Sequence, residues 1–464
     1  MAPPNFRDLL SRRVSIGVTG FSRSGKTVFI GALAHALLSA SAWKGRRGQG
    51  PLAGFGPFER GRFASAQIRD DIHGDEPQFP FRKVRDALCD DASWPAPTEG
   101  LSRLVLELAT ERKPKSRWLK SRGPGLEGFG LGHLLIELID YPGEWLIDLP
   151  MLKLDYPTWS ENLLTRARQG KRREISTEFL QLLESSAPPS TFDEEVAIQL
   201  TDAWASYLER AAAIGLVFNQ PGRLLRPDRL AHSPVLRLVP LPPSWAESRF
   251  YAGMESRFKQ YKKSVIKPFY RKHFARMDRQ IVMVDLLRAL QNGEEAFHDM
   301  QDALGATLQS FMYGKGGPIP WLNDARTTHV LFAASKADHV TRGDRPNLEK
   351  LLERIILRVD DYGKIRSSSL HHSFRALASI RATQDHMTVS PPHREILFGR
   401  RNGYEEPKAW DPGGLPLDFP PDWGNLRFQF LDFEPAQHQQ ARDEAFPAIN
   451  LGKVLDFLIG ENLS

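Results

Sequence analysis

The sequence predicts an α/β fold, in which a mixed, mostly parallel β-sheet is flanked by helices and carries a large helical insertion. Three observations predict it. A short apolar strand runs into a glycine-rich loop and then into an apolar helix. Further apolar runs that end in polar or acidic residues follow later, and a long segment with helical spacing separates the early runs from the late ones. Strands that alternate with helices build parallel sheets, which bind ligands at the carboxyl ends of their strands.

Composition narrows the class of protein. The chain has 464 residues, of which 41% are hydrophobic, enough for roughly two or three domains with a sizeable core. The single cysteine, Cys89, excludes an internal disulfide and fits a reducing cytosol. The start of the chain lacks the apolar region of a secretion signal, and no apolar run is long enough to span a bilayer. Together these features lead us to expect a cytoplasmic protein. The net charge of +6 comes without a nucleic-acid motif, so we expect no binding to nucleic acid.

The first element is a phosphate-binding loop between a strand and a helix. Val14 to Thr19 is predicted to be a buried strand, and Thr27 to Ala40 a largely apolar helix whose N-terminus faces the phosphates. Between them, Gly20 to Thr27 matches the pattern G-x-x-x-x-G-K-[ST]. The glycines let backbone N–H groups approach the phosphates, Lys26 reaches the β- and γ-phosphates, and the Thr27 hydroxyl binds Mg²⁺. The residues predicted to bind nucleotide here are Gly20, Ser22, Arg23, Ser24, Gly25, Lys26, Thr27 and Val28.

The second element supplies an acid for the metal. The run from His133 to Asp140 is predicted to be a strand, and Tyr141-Pro142-Gly143 follows it directly. In this D-x-x-G pattern the aspartate holds Mg²⁺ through water, and the Gly143 N–H can reach a γ-phosphate. Alone the pattern is common, but after an apolar strand and downstream of a phosphate loop it indicates a nucleoside triphosphatase.

A switch threonine is expected just before the strand that pairs with residues 133–140. Leu101 to Thr110 alternates like such a partner, and Thr98 stands just ahead of it in the proline-rich segment Trp94-Pro95-Ala96-Pro97-Thr98. We expect Thr98 to close over Mg²⁺ and the γ-phosphate, the alternative being a turn residue in this loop. The predicted metal residues are therefore Thr27, Thr98 and Asp140.

The third element indicates which base is bound. Val330 to Ala334 is another buried strand, and it runs into Ser335-Lys336-Ala337-Asp338, which is similar to the guanine-reading N/T-K-x-D motif with serine in the first position. The Asp338 carboxylate would accept hydrogen bonds from guanine N1–H and the N2 amine, donors that adenine lacks. We expect Lys336 to pack its stem over the base and to tie this loop to the phosphate loop.

The next strand would complete the base pocket. Phe374 to Ser379 is predicted to bring the backbone N–H groups of Ala378 and Ser379 to guanine O6, on the strength of its order and spacing behind Asp338. Two alternatives stay open. Residues 335–338 could instead form an ordinary strand-to-helix loop in which Asp338 caps the helix. The serine at position 335 also leaves an ATPase as a further interpretation.

Two residues depart from the commonest GTPase pattern. A glutamine that orients the attacking water often follows D-x-x-G, whereas Glu144 stands here and could orient water or leave hydrolysis slow. Arg23 occupies the third variable position of the phosphate loop, as in guanylate-binding proteins, where this arginine is a finger supplied in cis. The alternatives for Arg23 are solvent exposure or a grip on the α-phosphate. Together with Lys26 and Thr98, these two are the predicted catalytic residues.

These segments together resemble the YcjX-like family of bacterial P-loop GTPases. The matching segments are Gly20 to Thr27, Trp94 to Thr98, Asp140-Tyr141-Pro142-Gly143-Glu144-Trp145, Ile281 to Asp285, Ser335 to Asp338, Leu415 to Leu417 and Val454 to Gly460. The resemblance spans nearly the whole chain. It implies a P-loop, GTPase-like fold, a cytoplasmic protein that binds GTP and GDP, an association with envelope-stress genes, and a membrane-protein partner that is often encoded nearby.

The nucleotide domain is predicted to be discontinuous. Residues 1–148 supply the phosphate loop and the switch region, and residues 281–384 supply three more strands with intervening helices. Residues 149–280 are predicted to form a mainly helical insertion, and residues 385–464 a C-terminal extension that packs on the nucleotide domain. Because the insertion follows Gly143 closely, we expect it to respond to loss of the γ-phosphate and to act as the effector element.

Two basic stretches could contact an anionic membrane surface or an acidic partner. Arg249 to Arg279 interleaves cations with aromatic residues, and Pro268 would kink or split any helix there. Arg112 to Lys120 carries Trp118 among cations, between the two antiparallel strands. The alternative for Arg249 to Arg279 is a helical stretch with a solvated basic face and an aromatic core face, and the alternative for Arg112 to Lys120 is a solvated hairpin tip. Binding to a phosphate backbone also stays open for both stretches, although no nucleic-acid motif accompanies them.

The sequence therefore predicts a cytoplasmic GTPase that uses Mg²⁺, is slow or partner-stimulated, and works as a nucleotide-dependent switch. The alternative is a nucleotide-bound scaffold that hardly hydrolyses GTP and serves as an adaptor at the inner membrane surface. Glu144 favours the scaffold, and Arg23 favours the enzyme. The oligomeric state, the partner and the signal stay open at this stage.

Overall fold

The structure is a computed structural model that describes residues 12–43, 46, 48–72, 74–111, 131–185, 187–311, 327–359, 370–420, 422–425, 428–436 and 441–463. The basic stretch Arg112 to Lys120 lies outside these residues. Within them, no helix combines the length and the apolar character needed to cross a bilayer.

The centre of the fold is a seven-stranded sheet with the order β2-β3-β4-β1-β5-β6-β7. Its strands are β1 Arg12–Gly20, β2 Phe63–Ile68, β3 Ser102–Glu111, β4 Leu131–Asp140, β5 Arg279–Val284, β6 His329–Ala334 and β7 His371–Ala376. The pairs β2–β3 and β3–β4 are antiparallel, whereas β4, β1, β5, β6 and β7 run parallel. The predicted mixed, mostly parallel α/β sheet is confirmed.

Helices cover the sheet and fill the segment between β4 and β5. They are α1 Lys26–Leu38, α2 Gly56–Glu59, α3 Phe81–Cys89, α4 Tyr156–Ala167, α5 Gly170–Ile175, α6 Thr177–Ser185, α7 Glu194–Ala213, α8 Gly222–Leu225, α9 Arg249–Tyr261, α10 Lys267–Lys272, α11 Leu286–Gln291, α12 Glu294–Phe311, α13 Arg345–Val359, α14 Ala441–Glu444 and α15 Leu451–Ile459. After β7 comes a three-stranded antiparallel sheet of β8 Thr383–Met387, β9 Glu395–Gly399 and β10 Lys408–Trp410. The sequence does not predict this small sheet, because its strands are only three to five residues long.

Alternating side chains of the central strands pack into two cores on opposite faces of the sheet. In β5, Ile281 and Met283 pack with α1 and α15, whereas Val282 and Val284 pack with the helical segment between β4 and β5. Strands covered on both faces need such continuous apolar runs. The core of the helical segment is therefore continuous with one face of the sheet.

A buried ion pair fixes the helical segment against α12. Arg172 of α5 donates to Asp299 Oδ1 of α12 at 2.8 Å and to the Tyr207 hydroxyl at 2.9 Å. The other carboxylate oxygen of Asp299 accepts from the backbone N–H groups of Val217 and Phe218 at 2.6 and 2.8 Å. Breaking a buried pair of this kind leaves an uncompensated charge and costs about 3–5 kcal/mol.

The basic stretch Arg249 to Arg279 directs its aromatic residues into the core. Those that are buried include Phe250, Tyr251, Phe258, Tyr261, Phe269 and Tyr270. The predicted interruption at Pro268 takes the form of one π-helical turn, Lys262–Ile266, between α9 and α10. Pro268 follows this turn closely, so the regular α-helical hydrogen-bond pattern is already interrupted just before the residue that lacks an N–H. These rings are consequently not available as membrane anchors.

Candidate functional site

A cavity of about 380 Å³ opens where β1, β4, β5, β6 and β7 end, which is within the range of about 300–1,000 Å³ typical of ligand pockets. The predicted site residues on its wall are Ser22, Arg23, Ser24, Gly25, Lys26, Thr27, Val28, Thr98, Gly143, Glu144, Lys336, Asp338, Ala378 and Ser379. Gly20 and Asp140 are not part of this wall. Gly20 is the last residue of β1, and Asp140 is buried behind the hydroxyls of Thr27 and Thr98.

The phosphate loop is shaped by its glycine and closed by its lysine. Gly25 has a φ of 89°, a left-handed conformation that favours glycine, and its carbonyl accepts from Phe29 N–H in the first turn of α1. The Lys26 ammonium donates to the carbonyl oxygens of Gly20 and Phe21 at 2.9 and 3.1 Å. Burial lowers the pKa of Lys26, although the carboxylates of Asp140 and Glu144 oppose this. The lysine is thus held where phosphate oxygens would replace the two carbonyls.

The three predicted metal residues meet in one corner. The Thr98 hydroxyl donates to Asp140 Oδ2 at 2.8 Å and lies 2.7 Å from the Thr27 hydroxyl, which is 3.3 Å from the same oxygen. Asp140 Oδ1 is buried without a hydrogen-bond partner. Burial raises the pKa of Asp140, against the charge of Lys26 and the hydrogen bonds from the two threonines.

Magnesium fits this corner. A buried carboxylate oxygen without a partner is stabilised by a cation, and hydroxyl and carboxylate oxygens are ligands that Mg²⁺ accepts. No cluster of three or more His, Cys, Asp or Glu residues exists in the described ranges that could hold a metal by protein ligands alone. Such an arrangement matches Mg²⁺, which usually binds one or two carboxylates together with substrate phosphates and water.

Gly143 connects the metal strand to the phosphate loop. A Cβ at this position would overlap the Gly20 carbonyl oxygen and lie 2.8 Å from Phe21 Cα. The backbone of the D-x-x-G segment is therefore packed directly on the loop, and only glycine allows this approach.

Glu144 and the segment after it are joined to the helical segment. Arg226, just after α8, lies with its Nε 3.8 Å from Glu144 Oε1, and its carbonyl accepts from the Trp145 indole at 3.1 Å. Buried Asp148 accepts from Gly222 N–H at 2.7 Å and from the Tyr261 hydroxyl at 2.5 Å. Burial raises the pKa of Asp148 to about 6. Residues 143–153 are thus bonded to α8 and α9.

Arg23 stands at the mouth of the loop. It is exposed, lines the cavity and has a φ of 63°, which is uncommon for a residue other than glycine. This conformation points to a loop shaped for a ligand rather than for its own packing.

Asp338 is the buried acid of the base end. Its Oδ2 accepts from Ala382 N–H at 2.7 Å, and its Oδ1 lies 3.2 Å from His339 Nδ1. Burial works against the charged form, but the neighbouring His339 and the hydrogen bonds outweigh it, so the pKa of Asp338 lies below its ordinary value. The preceding Ser335 donates its hydroxyl and its N–H to Val284 O of β5, at 3.3 and 3.0 Å. The serine therefore anchors this loop on the sheet.

Lys336 has partners other than those expected. Its ammonium lies 2.8 Å from Asp285 Oδ2 and 3.4 Å from Asp432 Oδ1, and 4.9 Å from the centre of the Phe430 ring. The ammonium was expected to contact the phosphate loop. It contacts the carboxylates of Asp285 and Asp432 instead. Its side chain still lines the cavity.

Ala378 is not free to contact a base through its amide. β7 ends at Ala376, and beyond it Ala378 N–H donates to Ile449 O at 3.2 Å while Ile449 N–H donates back at 2.9 Å. The predicted contact of Ala378 N–H with guanine O6 is therefore corrected, since the N–H already has a partner. Ser379, which also lines the cavity, is left as the residue for this contact.

Several residues on the wall were missed by reasoning from sequence. They are Trp94, Arg226, Arg288, Asn402, Asp432 and Phe433. Trp94 begins the five-residue segment that ends in Thr98. Because Thr98 was predicted to reach the site, its neighbours in this short segment could have been expected there too. The others lie in the helical segment, in α11 and in the C-terminal extension, where no motif marks them.

Known proteins are similar to this chain over nearly its full length. The model of the YcjX-like family, DUF463, matches residues 14–463. A protein of Escherichia coli (strain K12) named "Ras-like GTPase YcjX" is 34% identical over 469 residues, which cover 98% of this chain and 97% of that relative. A protein of the same name from Shewanella oneidensis is 30% identical over 475 residues, which cover 97% of this chain and 95% of the relative. The similarity thus includes the helical segment and the C-terminal extension.

Proposed function

The chain belongs to the YcjX-like family, and on that premise we propose that it binds GTP and GDP, hydrolyses GTP with Mg²⁺ and works as a nucleotide-dependent switch. The observation that carries this proposal is the corner of Thr27, Thr98 and Asp140, with a buried carboxylate oxygen that lacks a partner. The relatives named "Ras-like GTPase YcjX" support guanine as the base.

Each part of the nucleotide has residues suited to hold it. Lys26 would exchange the Gly20 and Phe21 carbonyls for phosphate oxygens, aided by the backbone N–H groups of the loop. Asp338 would accept from the guanine edge. Bound Mg²⁺ would neutralise charge on the β- and γ-phosphates. Thr98 closes the corner from the other side, where its hydroxyl already contacts Asp140 and Thr27 and could bind the metal.

Hydrolysis needs a residue that orients water and a cation that meets the charge of the transition state. Glu144 follows Gly143 and can accept a hydrogen bond from the attacking water. Arg23 is our proposed finger, and an arginine that reaches the transition state is worth roughly 10³–10⁵ in rate. Arg23 is exposed, and the Glu144 carboxylate would repel the negatively charged γ-phosphate. We therefore propose that turnover is slow or stimulated by a partner.

A second candidate function is a nucleotide-bound scaffold that hardly hydrolyses GTP. The position of Arg226 favours it, because a cation 3.8 Å from Glu144 can hold that carboxylate away from water. The phosphate loop and Asp338 would keep the same binding roles. Only the rate of turnover separates the two functions.

Single-turnover hydrolysis of GTP with Mg²⁺ tests the proposal. We expect measurable turnover that Arg23→Ala slows by about 100-fold or more, with the GTP dissociation constant changed by less than about threefold. Arg226→Ala is the matched variant, since Arg226 lines the same cavity from the helical segment. If Arg23→Ala turns GTP over at the wild-type rate, the proposed finger role of Arg23 is wrong, whatever the effect of Arg226→Ala. No turnover by the wild type with bound GTP supports the scaffold.

We also propose that residues 1–148 and 281–384 form the nucleotide domain, that residues 149–280 act as its effector element, and that residues 385–464 are an extension of it. The hydrogen bonds of Asp148 to Gly222 and Tyr261 support the effector role, because they join the D-x-x-G segment to the helical segment. Hydrogen exchange in residues 150–280 should differ between GDP and a GTP analogue. Identical exchange contradicts the effector role.

Family resemblance alone supports the cellular part of the proposal. It comprises a cytoplasmic location or a peripheral one at the inner membrane, a membrane-protein partner and a link to envelope stress. The aromatic residues of Arg249 to Arg279 are buried and do not contribute membrane anchors. Partner capture with the GTP-bound protein should recover a membrane protein, and recovery that is equal with GDP contradicts a switch.

A further inference from the structure

We propose that Trp94 is the platform on which the nucleotide base stacks, and that residues 430–433 of the C-terminal extension hold it in place. The inference rests on the proposed function, because it names a further residue of the same site. It also gives the C-terminal extension a part in nucleotide binding, because this extension positions the stacking residue.

Trp94 presents a fixed and partly uncovered ring on the cavity wall. The residue is 38% exposed, whereas tryptophan is highly buried on average. Its indole N–H donates to the Phe433 carbonyl oxygen at 2.8 Å, so the ring is held rather than free. A held aromatic ring in a ligand cavity offers apolar area that a bound planar group would cover.

The anchor of Trp94 lies next to the base-reading loop. The Phe433 ring packs against His339 with ring centres 5.2 Å apart. His339 follows Asp338 and contacts its carboxylate. Trp94 is therefore linked through two neighbours to the acid proposed to read guanine, which assigns its ring to the base end of the cavity.

The segment from Trp94 to Thr98 can follow the nucleotide along its length. Thr98 is bonded at the metal corner, and Trp94 is bonded at the base end. Four extended residues reach about 13–14 Å, which is the scale of a nucleoside diphosphate. Pro95 and Pro97 each fix a φ angle and so stiffen the segment. One short segment can thus touch the base at its first residue and the metal site at its last.

The same C-terminal residues also position Lys336. Asp432 lies 3.4 Å from the Lys336 ammonium and accepts from Arg288 at 2.7 Å, while the Phe430 ring lies under the ammonium. Residues 430–433 therefore hold Trp94 through a carbonyl and Lys336 through a carboxylate and a ring. A base between the Lys336 stem and the indole would be contacted by two side chains that one segment positions.

Stacking and base reading are separable functions. Every base has an aromatic face, so a stacking platform adds affinity without selecting guanine, and removal of such a ring weakens binding by about 10- to 100-fold. Asp338 would supply the selectivity. Loss of Trp94 should therefore weaken binding of every nucleotide, whereas loss of Asp338 should weaken binding of guanine nucleotides alone. Loss of Thr98 should affect the metal site and hence also ligands without a base.

The test is calorimetric titration with two probes, GDP and tripolyphosphate, in the presence of Mg²⁺. We expect Trp94→Ala to weaken GDP binding by about 10- to 100-fold and to leave tripolyphosphate, which has no base, unchanged. Trp94→Phe keeps a ring and should restore most of the GDP affinity. Trp410→Ala is the control, because Trp410 also donates its indole N–H to a backbone carbonyl, that of Gln429, from outside the described cavity wall.

Three results would overturn the inference. Equal GDP affinities for the wild type and Trp94→Ala overturn it and leave the proposed function standing. Equal losses of GDP and tripolyphosphate affinity also overturn it, because Trp94 would then act through the position of Thr98. A wild type that binds neither probe overturns the proposed function together with the inference.

Discussion

The two ends of the cavity are assembled over very different distances along the chain. At the phosphate end, Lys26 and Thr27 share one loop, and Thr98 and Asp140 reach them from positions 71 and 113 residues away from Thr27. At the base end, the hydrogen bond that holds Trp94 joins it to Phe433, 339 positions later. The first end is assembled within the first 140 residues, whereas the second also needs residues of the C-terminal extension.

Each end is also attached to a different peripheral part. The phosphate end is bonded through Asp148 to Gly222 and Tyr261 of the helical segment. The base end is bonded through Asp432 and Phe433 to the C-terminal extension. We therefore expect the γ-phosphate to act on the helical segment and the base to act on the extension.

The largest expected effect comes from a substitution at the phosphate end of the cavity, which should lower the affinity for nucleotides. Lys26→Ala removes the ammonium that would meet the β- and γ-phosphates, and charge-assisted hydrogen bonds contribute about 1.5–3 kcal/mol each. The dissociation constants of GDP and GTP should therefore rise by about 100-fold or more, as measured by calorimetry. Lys259→Ala is the control, because Lys259 is exposed, pairs with Glu255 and is not among the residues that line the described cavity. Unchanged affinity in Lys26→Ala would show that Lys26 does not contact phosphate.

The next prediction concerns the attachment of the phosphate end to the helical segment. The folded-state pKa of Asp148, about 6, is above the ordinary value of 3.8, so the folded chain takes up a proton that the unfolded chain does not between these pH values. The contribution of Asp148 to stability is therefore full below about pH 4 and is lost as pH rises through about 6, by roughly 3 kcal/mol.

Urea unfolding of the wild type and Asp148→Asn at pH 4.5 and pH 7 measures this contribution. The stability of the wild type relative to the variant should be greater at the lower pH. Asp302→Asn, at an exposed carboxylate of α12, controls for loss of an acid elsewhere. Parallel pH dependence of the wild type and Asp148→Asn would contradict the raised pKa.

The smallest of the three effects is expected from a substitution at the base end of the cavity, which should lower the affinity for GDP alone. Asp338→Asn replaces a carboxylate that accepts from two guanine donors with an amide that offers one acceptor. We expect GDP binding to weaken by about 10- to 100-fold and ADP binding to stay unchanged, as measured by competition between the two nucleotides. Equal GDP affinities for the variant and the wild type would identify residues 335–338 as an ordinary loop.

The phosphate end of the cavity could be predicted from the sequence more fully than the base end. Lys26, Thr27 and Asp140 stand at fixed offsets in short motifs, and Thr98 could be found because it stands just ahead of the partner strand of β4. The anchoring role of Ser335 could not be predicted, since it depends on the neighbouring carbonyl of Val284 in the folded sheet.

Long-range pairing explains the errors at the base end. Whether Ala378 offers its N–H depends on Ile449, and the partner of Lys336 depends on where Asp432 lies in the fold. No spacing rule connects residues so far apart in the sequence, because only the folded chain brings the C-terminal extension to the cavity. The fold class was predictable, since continuous apolar strands and helical spacing are local patterns.

The most direct test of the central claim is calorimetric titration of the wild type with GDP and with ADP, in Mg²⁺ and again after chelation. The account predicts strong GDP binding that Mg²⁺ tightens, and weak ADP binding, because Asp338 reads guanine while Thr27, Thr98 and Asp140 hold the metal. Equal affinities for GDP and ADP would contradict the base-reading role of Asp338 and leave only a phosphate-binding loop.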